Sequence, residues 1–246
     1  MPMHNTATHI PQSPSSPAAA QRVESLAEIE AVLSDASPTS LQLLLRRAHR
    51  VQYVPQDVLF HAGSANDSIL FITEGLLKLV AYLHNGRARI VRLHHPGHVL
   101  GLSALLGKTY THTGIAVTPV AALRVPVAAV QRLRSDDPQT YAGLIEHWHD
   151  YLYEADTWIT QFSTGPIRGR VARLLTFLMK FDTHVPGDQV QLLTCEEMGA
   201  VLGVTAESTS RILAEFKREG ILAGTDCSES SYEADAQRLQ AIARNE

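Results

Sequence analysis

Glu207, Ser210 and Arg211 stand at positions i, i+3 and i+4, the spacing that gathers side chains onto one face of a helix. Their chemistry suits the base edges of a DNA major groove. A carboxylate accepts from cytosine N4, and a guanidinium grips guanine O6 and N7. Val204, Thr209, Ile212, Leu213 and Phe216 fall on the opposite, inward face. The elements that must hold this arrangement are written on either side. Thr194 followed by Glu197 has capping-box spacing, which starts a helix. Gly203 stops it, because a sharp turn needs a positive φ that glycine adopts at little cost. Gly199, four residues earlier, lets two helices approach closely. Thr205 caps the second helix and Gly220 ends it. The stretch therefore reads as two short helices and a tight turn, the second helix shaped for a major groove. Spacing alone also fits an ordinary helical hairpin with a surface Glu and Arg.

The chain has 246 residues, enough for two modest domains. Its formal charge of −4 gives no global basic signature, although a local basic patch suffices to meet DNA. No apolar run approaches the roughly 20 residues of a membrane span, and the N-terminus lacks a charged-then-apolar signal pattern. Two cysteines, Cys195 and Cys227, point to unpaired thiols in a reducing, cytoplasmic setting.

Residues 1–20 carry Pro2, Pro11, Pro14 and Pro17 among Ser, Thr and Ala, the composition of a disordered arm. Short helices are expected near Val23–Leu33 and Pro38–Arg47. From Val51 to about residue 127, short apolar runs alternate with turn residues, Asn85-Gly86 being a strong hairpin signal. This predicts an antiparallel roll or barrel, though an immunoglobulin-like sandwich has similar spacing. From Asp136 the period becomes helical. Leu144, Trp148, Tyr151, Ala155, Trp158 and Phe162 are spaced four, three, four, three, four, a coiled-coil seam that predicts a homodimer interface. Ile145, Leu152 and Ile159 lie one step beyond, so one edge of the stripe should meet a partner helix and the other the roll. A single buried core helix would suit the same width. Gly165-Pro166 makes a natural hinge, and Ile167–Phe181 should be the next helix.

The pattern Glu207-x-x-Ser210-Arg211 resembles the recognition helix of the Crp/Fnr family of bacterial transcription regulators, in its Fnr-type branch. The run from Gly63 through Gly75 to Lys78, continued by Pro96-Gly97-His98-Val99-Leu100-Gly101, is similar to the glycine-punctuated cyclic-nucleotide-binding β-roll. The resemblance reaches from Val51 to Leu222. It implies an α+β fold with an N-terminal antiparallel β-roll, a long central dimerisation helix and a C-terminal winged helix-turn-helix. The implied division is an arm (1–20), an effector-sensing roll with flanking short helices (21–135), a dimerisation helix (136–164) and a DNA-binding unit (165–246). The implied function is a homodimeric regulator without enzymatic activity. It would bind a palindromic TTGAT-like site through Thr205, Glu207, Ser210 and Arg211, and would touch RNA polymerase if it activates.

The signal is less legible. The family's cyclic-AMP site uses Gly-Glu for the ribose and Arg followed by Ser or Thr for the phosphate. Here those positions read Gly101-Leu102 and Tyr110-Thr111. A phosphate without a bidentate arginine loses its strongest partner, so cyclic-AMP control is the alternative rather than the expectation. Iron–sulfur relatives use N-terminal cysteines, and this chain has none before Cys195. No cofactor is expected, while haem or a small anionic effector stays open. His94, His95, His98 and His112 are the histidines to consider, and Leu76–Ser135 holds eight basic residues and no Asp or Glu. A cupin-like metal enzyme is the other class invited by His94-His95-Pro96-Gly97-His98, but no acid lies near in sequence to complete such a site.

Overall fold

In a computed structural model of the chain, residues 18–22, 36–181, 189–224 and 231–245 are described. The helix expected near Val23–Leu33 lies outside them, as does Cys227. The first strand is β1 (Ala18–Arg22). It pairs antiparallel with β2 (His49–Tyr53), so residues 18–20 of the expected arm belong to a sheet edge. Alanine-rich chain carries little strand propensity of its own, and pairing with β2 supplies the ladder. Helix α1 (Pro38–Leu45) follows a Ser37 cap, with Pro38 in its first turn.

The roll consists of two antiparallel sheets. One has the order β1-β2-β9-β4-β7 and the other β3-β8-β5-β6. The remaining strands are β3 (Val58–Phe60), β4 (Ser68–Glu74), β5 (Leu77–Tyr82), β6 (Ala88–His94), β7 (Val99–Leu100), β8 (Thr113–Ala116) and β9 (Val120–Pro126). Alternation along β4 explains why it reads as an unbroken apolar run. Leu70 and Ile72 enter the cluster containing Val51, Phe60, Leu77 and Val120. Ile69 and Phe71 join the cluster with Leu41, Leu44, Val130 and Leu144. Successive strand side chains point to opposite faces, and both faces are covered. Asn85-Gly86 forms the expected hairpin between β5 and β6, with Leu83 N–H donating to Arg87 O at 2.9 Å. Gly75 is obligatory, since a Cβ there would lie 1.9 Å from Pro119 O.

Helix α2 (Val127–Asp136) leads into the 26-residue α3 (Pro138–Ser163). Asp137 joins the two. Its carboxylate accepts from Thr140 N–H at 3.1 Å and from the hydroxyls of Ser37, Ser40 and Thr140. These bonds hold its pKa far below the usual carboxylate range. After α3, Gly165 takes a φ of 82°, and Pro166 precedes α4 (Ile167–Phe181). The C-terminal unit continues through β10 (Gln189–Gln191), α5 (Cys195–Leu202), α6 (Ala206–Arg218), β11 (Leu222–Gly224), β12 (Ser231–Ala234) and α7 (Ala236–Asn245). β12 lies between β10 and β11 in a small antiparallel sheet, the wing beside the paired helices.

α3 covers its own stripe differently from the sequence expectation. Leu144 is 0% exposed and Phe162 is 4% exposed within this single chain. Leu144 sits in the roll-side cluster with Trp148 and Tyr151 against it. Phe162 sits in the cluster of the C-terminal unit, with Trp158 against it. Ala155 is half-buried. The expected seam therefore serves the chain's own core at both ends. Its neighbouring edge is open, with Ile145 37%, Leu152 68%, Tyr153 74% and Ile159 57% exposed.

The roll and the C-terminal unit share one apolar cluster, which contains Val80, Ile90 and Leu93 together with Met198, Val201 and Leu202. An ion pair accompanies it, Lys78 Nζ to Glu197 Oε1 at 2.5 Å, with side chains 8% and 15% exposed. Burial alone would raise the Glu197 pKa. The hydrogen bond and charge of Lys78, with Thr194, outweigh it and bring the pKa below its ordinary value of 4.5. This contribution is complete above that value and is lost as pH falls through the lower folded one. Removing one partner of a buried pair strands the other charge. Lys78→Met should therefore cost about 3–5 kcal/mol of stability, and Lys78→Met with Glu197→Gln should regain most of it. Chemical denaturation checks this. A single variant as stable as the parent would refute the pair's role.

Candidate nucleic-acid interface

The paired helices are built by local rules. Thr194 Oγ1 accepts from Glu197 N–H at 3.1 Å, and Glu197 Oε2 accepts from Thr194 N–H at 3.0 Å, closing the capping box of α5. Gly203 ends α5 at φ 70°. Gly199 packs tightly against the turn and the start of α6, where a Cβ would sit 2.8 Å from Val204 O. Thr205 caps α6 by accepting from Ser208 N–H at 3.2 Å. At the far end Gly220 N–H donates to Lys217 O and Ile221 N–H to Phe216 O, the paired bonds of a Schellman stop. Arg170 Nη1 donates to Leu202 O at 2.8 Å, tying α4 to the end of α5.

On α6, Thr209 and Phe216 are fully buried, and Ile212 and Leu213 nearly so. Val204 is half-buried against the same cluster. Glu207, Ser210 and Arg211 are all exposed, and among the described residues none of the three makes a side-chain hydrogen bond or ion pair. Thr205, at the helix start, is exposed as well. Lys217 reaches the wing, donating to Tyr232 Oη at 2.7 Å. The structure thus brings together the residues chosen on helical spacing and presents them outward on one helix whose inner face is buried.

Residues 50–137 match the cyclic nucleotide-binding domain, and residues 169–242 match the Crp-like helix-turn-helix domain. The chain belongs to the Crp/Fnr family of transcription regulators. It is 27% identical to the transcriptional regulator LdrP of Thermus thermophilus over 176 residues, covering 70% of this chain and 86% of that protein. It is 24% identical over 190 residues to Vfr, a cAMP-activated global regulator of Pseudomonas aeruginosa, covering 74% and 88%. The crystal structure of a CRP-family regulator from Thermus thermophilus superposes with a TM-score of 0.69 at 23% identity, covering 79% of this chain and 96% of that one.

The two positions that the sequence resemblance aligns with the nucleotide site pack against the roll's own apolar clusters. Leu102 is buried in the cluster shared with α1, α2 and α3. The Tyr110 ring stacks on Phe60, with centroids 3.9 Å apart and planes at 11°, and burial pushes its hydroxyl up to about 12. Arg124, the nearby cation, is committed to Asp67 at 3.0 Å and to Ser68.

Sequence reasoning missed a second feature, a cavity of about 760 Å³ between the roll, α3, α4 and α7. Arg92, His95, Trp158, Arg173, Phe177 and Arg244 are among its lining residues. Because they come from four separated elements, no local motif could have announced it. Burial lowers His95 to about 4 and His94 well below the ordinary histidine value, so both rings are neutral at pH 7. His112, bonded to Thr111 at 3.0 Å, does not join them.

The close crossing at Gly199 gives a test of the helix pair. Gly199→Val should destabilise the chain by about 1–3 kcal/mol through overpacking against Val204 and should weaken DNA retention, as read by thermal melting and gel retardation. An unperturbed melt would show that the crossing tolerates a side chain.

Proposed function

We propose that the chain binds double-stranded DNA as a homodimer, each protomer reading one half of an inverted TTGAT-like palindrome. The observation that carries this is the division of α6, with its inward face buried and Glu207, Ser210 and Arg211 outward and unengaged. Arg211 takes the guanine, Glu207 accepts from the paired cytosine, and Ser210 contacts a neighbouring thymine. Thr205 lies at the helix start, where backbone N–H groups favour a phosphate. Such a regulator acts in the cytoplasm, does no catalysis, and touches RNA polymerase where it activates. No helix among the described residues is long and apolar enough to cross a membrane. Arg211→Ala should cost about 1–3 kcal/mol on the preferred site and abolish preference at the guanine. Equal loss on every sequence would make Arg211 a phosphate contact instead.

The partner surface in this reading is the open edge of α3. Ile145, Leu152 and Ile159 recur every seven residues, the repeat of a helix seam, and they need no rearrangement of the chain's core to be reached. Two chains joined there would set their α6 helices about one DNA turn (~34 Å) apart. Leu152→Asp should leave the protomer folded, because Leu152 is 68% exposed, and should convert dimer to monomer in sedimentation. A dimer that persists would move the interface elsewhere.

The effector in this reading is not cyclic AMP. Leu102 and Tyr110 offer the nucleotide neither a carboxylate nor a guanidinium; Leu102 is buried in an apolar cluster, and the Tyr110 ring is stacked on Phe60. Calorimetry should show no micromolar binding of cyclic AMP, and DNA affinity should be unchanged by it. A clear heat with about a tenfold gain in DNA affinity, or ~1.4 kcal/mol, would restore the nucleotide as the signal.

A further inference from the structure

The sequence suggested a metal site at His94-His95-Pro96-Gly97-His98 and then lacked an acid to complete it. The fold supplies one. His98 Nε2 lies 3.1 Å from Glu154 Oε1, which comes from the middle of α3. One ligand atom each from His95, His98 and Glu154 lies within 4.8 Å of the other two. We propose that these three residues bind a divalent first-row transition metal ion.

The remaining ring nitrogens are already committed, which is what metal-binding imidazoles require. His95 Nδ1 lies 2.8 Å from Pro96 O. A carbonyl only accepts, so Nδ1 carries the proton and Nε2 keeps the lone pair. His98 Nδ1 lies 3.0 Å from His94 Nδ1, and with Nδ1–H as the donor there, His98 Nε2 offers its lone pair once a metal ion replaces the proton it shares with Glu154 Oε1. The rings are held in place. His95 stacks on Phe181 with centroids 3.6 Å apart and planes at 10°, and His98 is buried. Gly97 turns the chain at φ 93° between them.

Two imidazoles and one carboxylate form a nitrogen and oxygen donor set suited to Zn²⁺ or Fe²⁺, with a further position open. His95, His98 and Glu154 also line the 760 Å³ cavity, which gives water access to that position. Bond lengths of about 2.0–2.2 Å require the wider ligand separations to shrink by roughly an ångström. Glu154, with its side chain 39% exposed, and the half-buried His95 are the ligands that would close toward the buried His98. A bound ion ties the β6–β7 turn of the roll to α3. Through the His95–Phe181 stack it also reaches the end of α4, the first helix of the DNA-binding unit. Metal would change DNA affinity only if the two arrangements of that junction bind it unequally. The site itself does not depend on the DNA-reading assignment, and its test needs no DNA.

Metal-free full-length protein is titrated with ZnCl₂ by calorimetry, and melting is followed with and without Zn²⁺. The expected result is one Zn²⁺ per chain with micromolar or tighter affinity, and a raised melting temperature. Glu154→Gln and His95→Gln should each weaken binding at least about tenfold and lose the Zn²⁺-dependent rise, while still melting cooperatively in chelator. Should His95→Gln fail to fold, Glu154→Gln alone decides. Absence of stoichiometric binding by the parent, or binding that Glu154→Gln leaves unchanged, would overturn the site.

Discussion

The arrangement of this molecule rests on one apolar cluster that does not stop at a domain boundary. Val80, Ile90 and Leu93 of the roll lie in the same cluster as Met198, Val201 and Leu202 of α5. Burial of such surface contributes about 25 cal/mol per Å², and it is directionless. Direction comes from Glu197, which caps α5 through Thr194 and pairs with Lys78 on β5. One carboxylate thereby sets where α5 begins and which strand it faces. The position of α6, and of the side chains it offers, follows from that contact.

The long helix α3 works on two sides for the same reason. Leu144 and Phe162 anchor its ends in two different clusters. Between them Tyr151 hydrogen-bonds the backbone of Val99 through its hydroxyl, and Arg92 Nη2 donates to Tyr151 O at 2.9 Å. The inner side is thus fixed to the roll, while Leu152, Tyr153 and Ile159 on the outer apolar edge are left mostly exposed by the single chain. A change in the roll near β6 or the β6–β7 turn is transmitted to α3 through these contacts, and to α4 through the Phe162–Phe177 and His95–Phe181 ring pairs. That continuity gives a signal in the N-terminal half a physical route to α6.

Sequence reasoning succeeded where a structural rule is local. Thr194 with Glu197, Gly203, Thr205 and Gly220 each decide a helix end within four residues, and the structure places the ends there. Asn85-Gly86 fixed a hairpin for the same reason. It failed where long-range packing chooses between equivalent candidates. Leu144 and Ile145 are adjacent apolar residues on one helix, and only the roll's position decides which is covered. Glu154 and His98 are 56 residues apart, so neither predicts the other. The strand at Ala18–Arg22 exists through its pairing with β2, and no β-branched run announces it.

The central claim is that the outward face of α6 reads base edges in a symmetric pair of half-sites. Selection of bound duplexes from a random-sequence library by the purified chain tests it most directly. The account predicts enrichment of an inverted repeat whose half-sites are centred about 10 base pairs apart, one helical turn, with an invariant guanine in each half. Retention of DNA without any enriched sequence, or enrichment of a single unpaired motif, would contradict it.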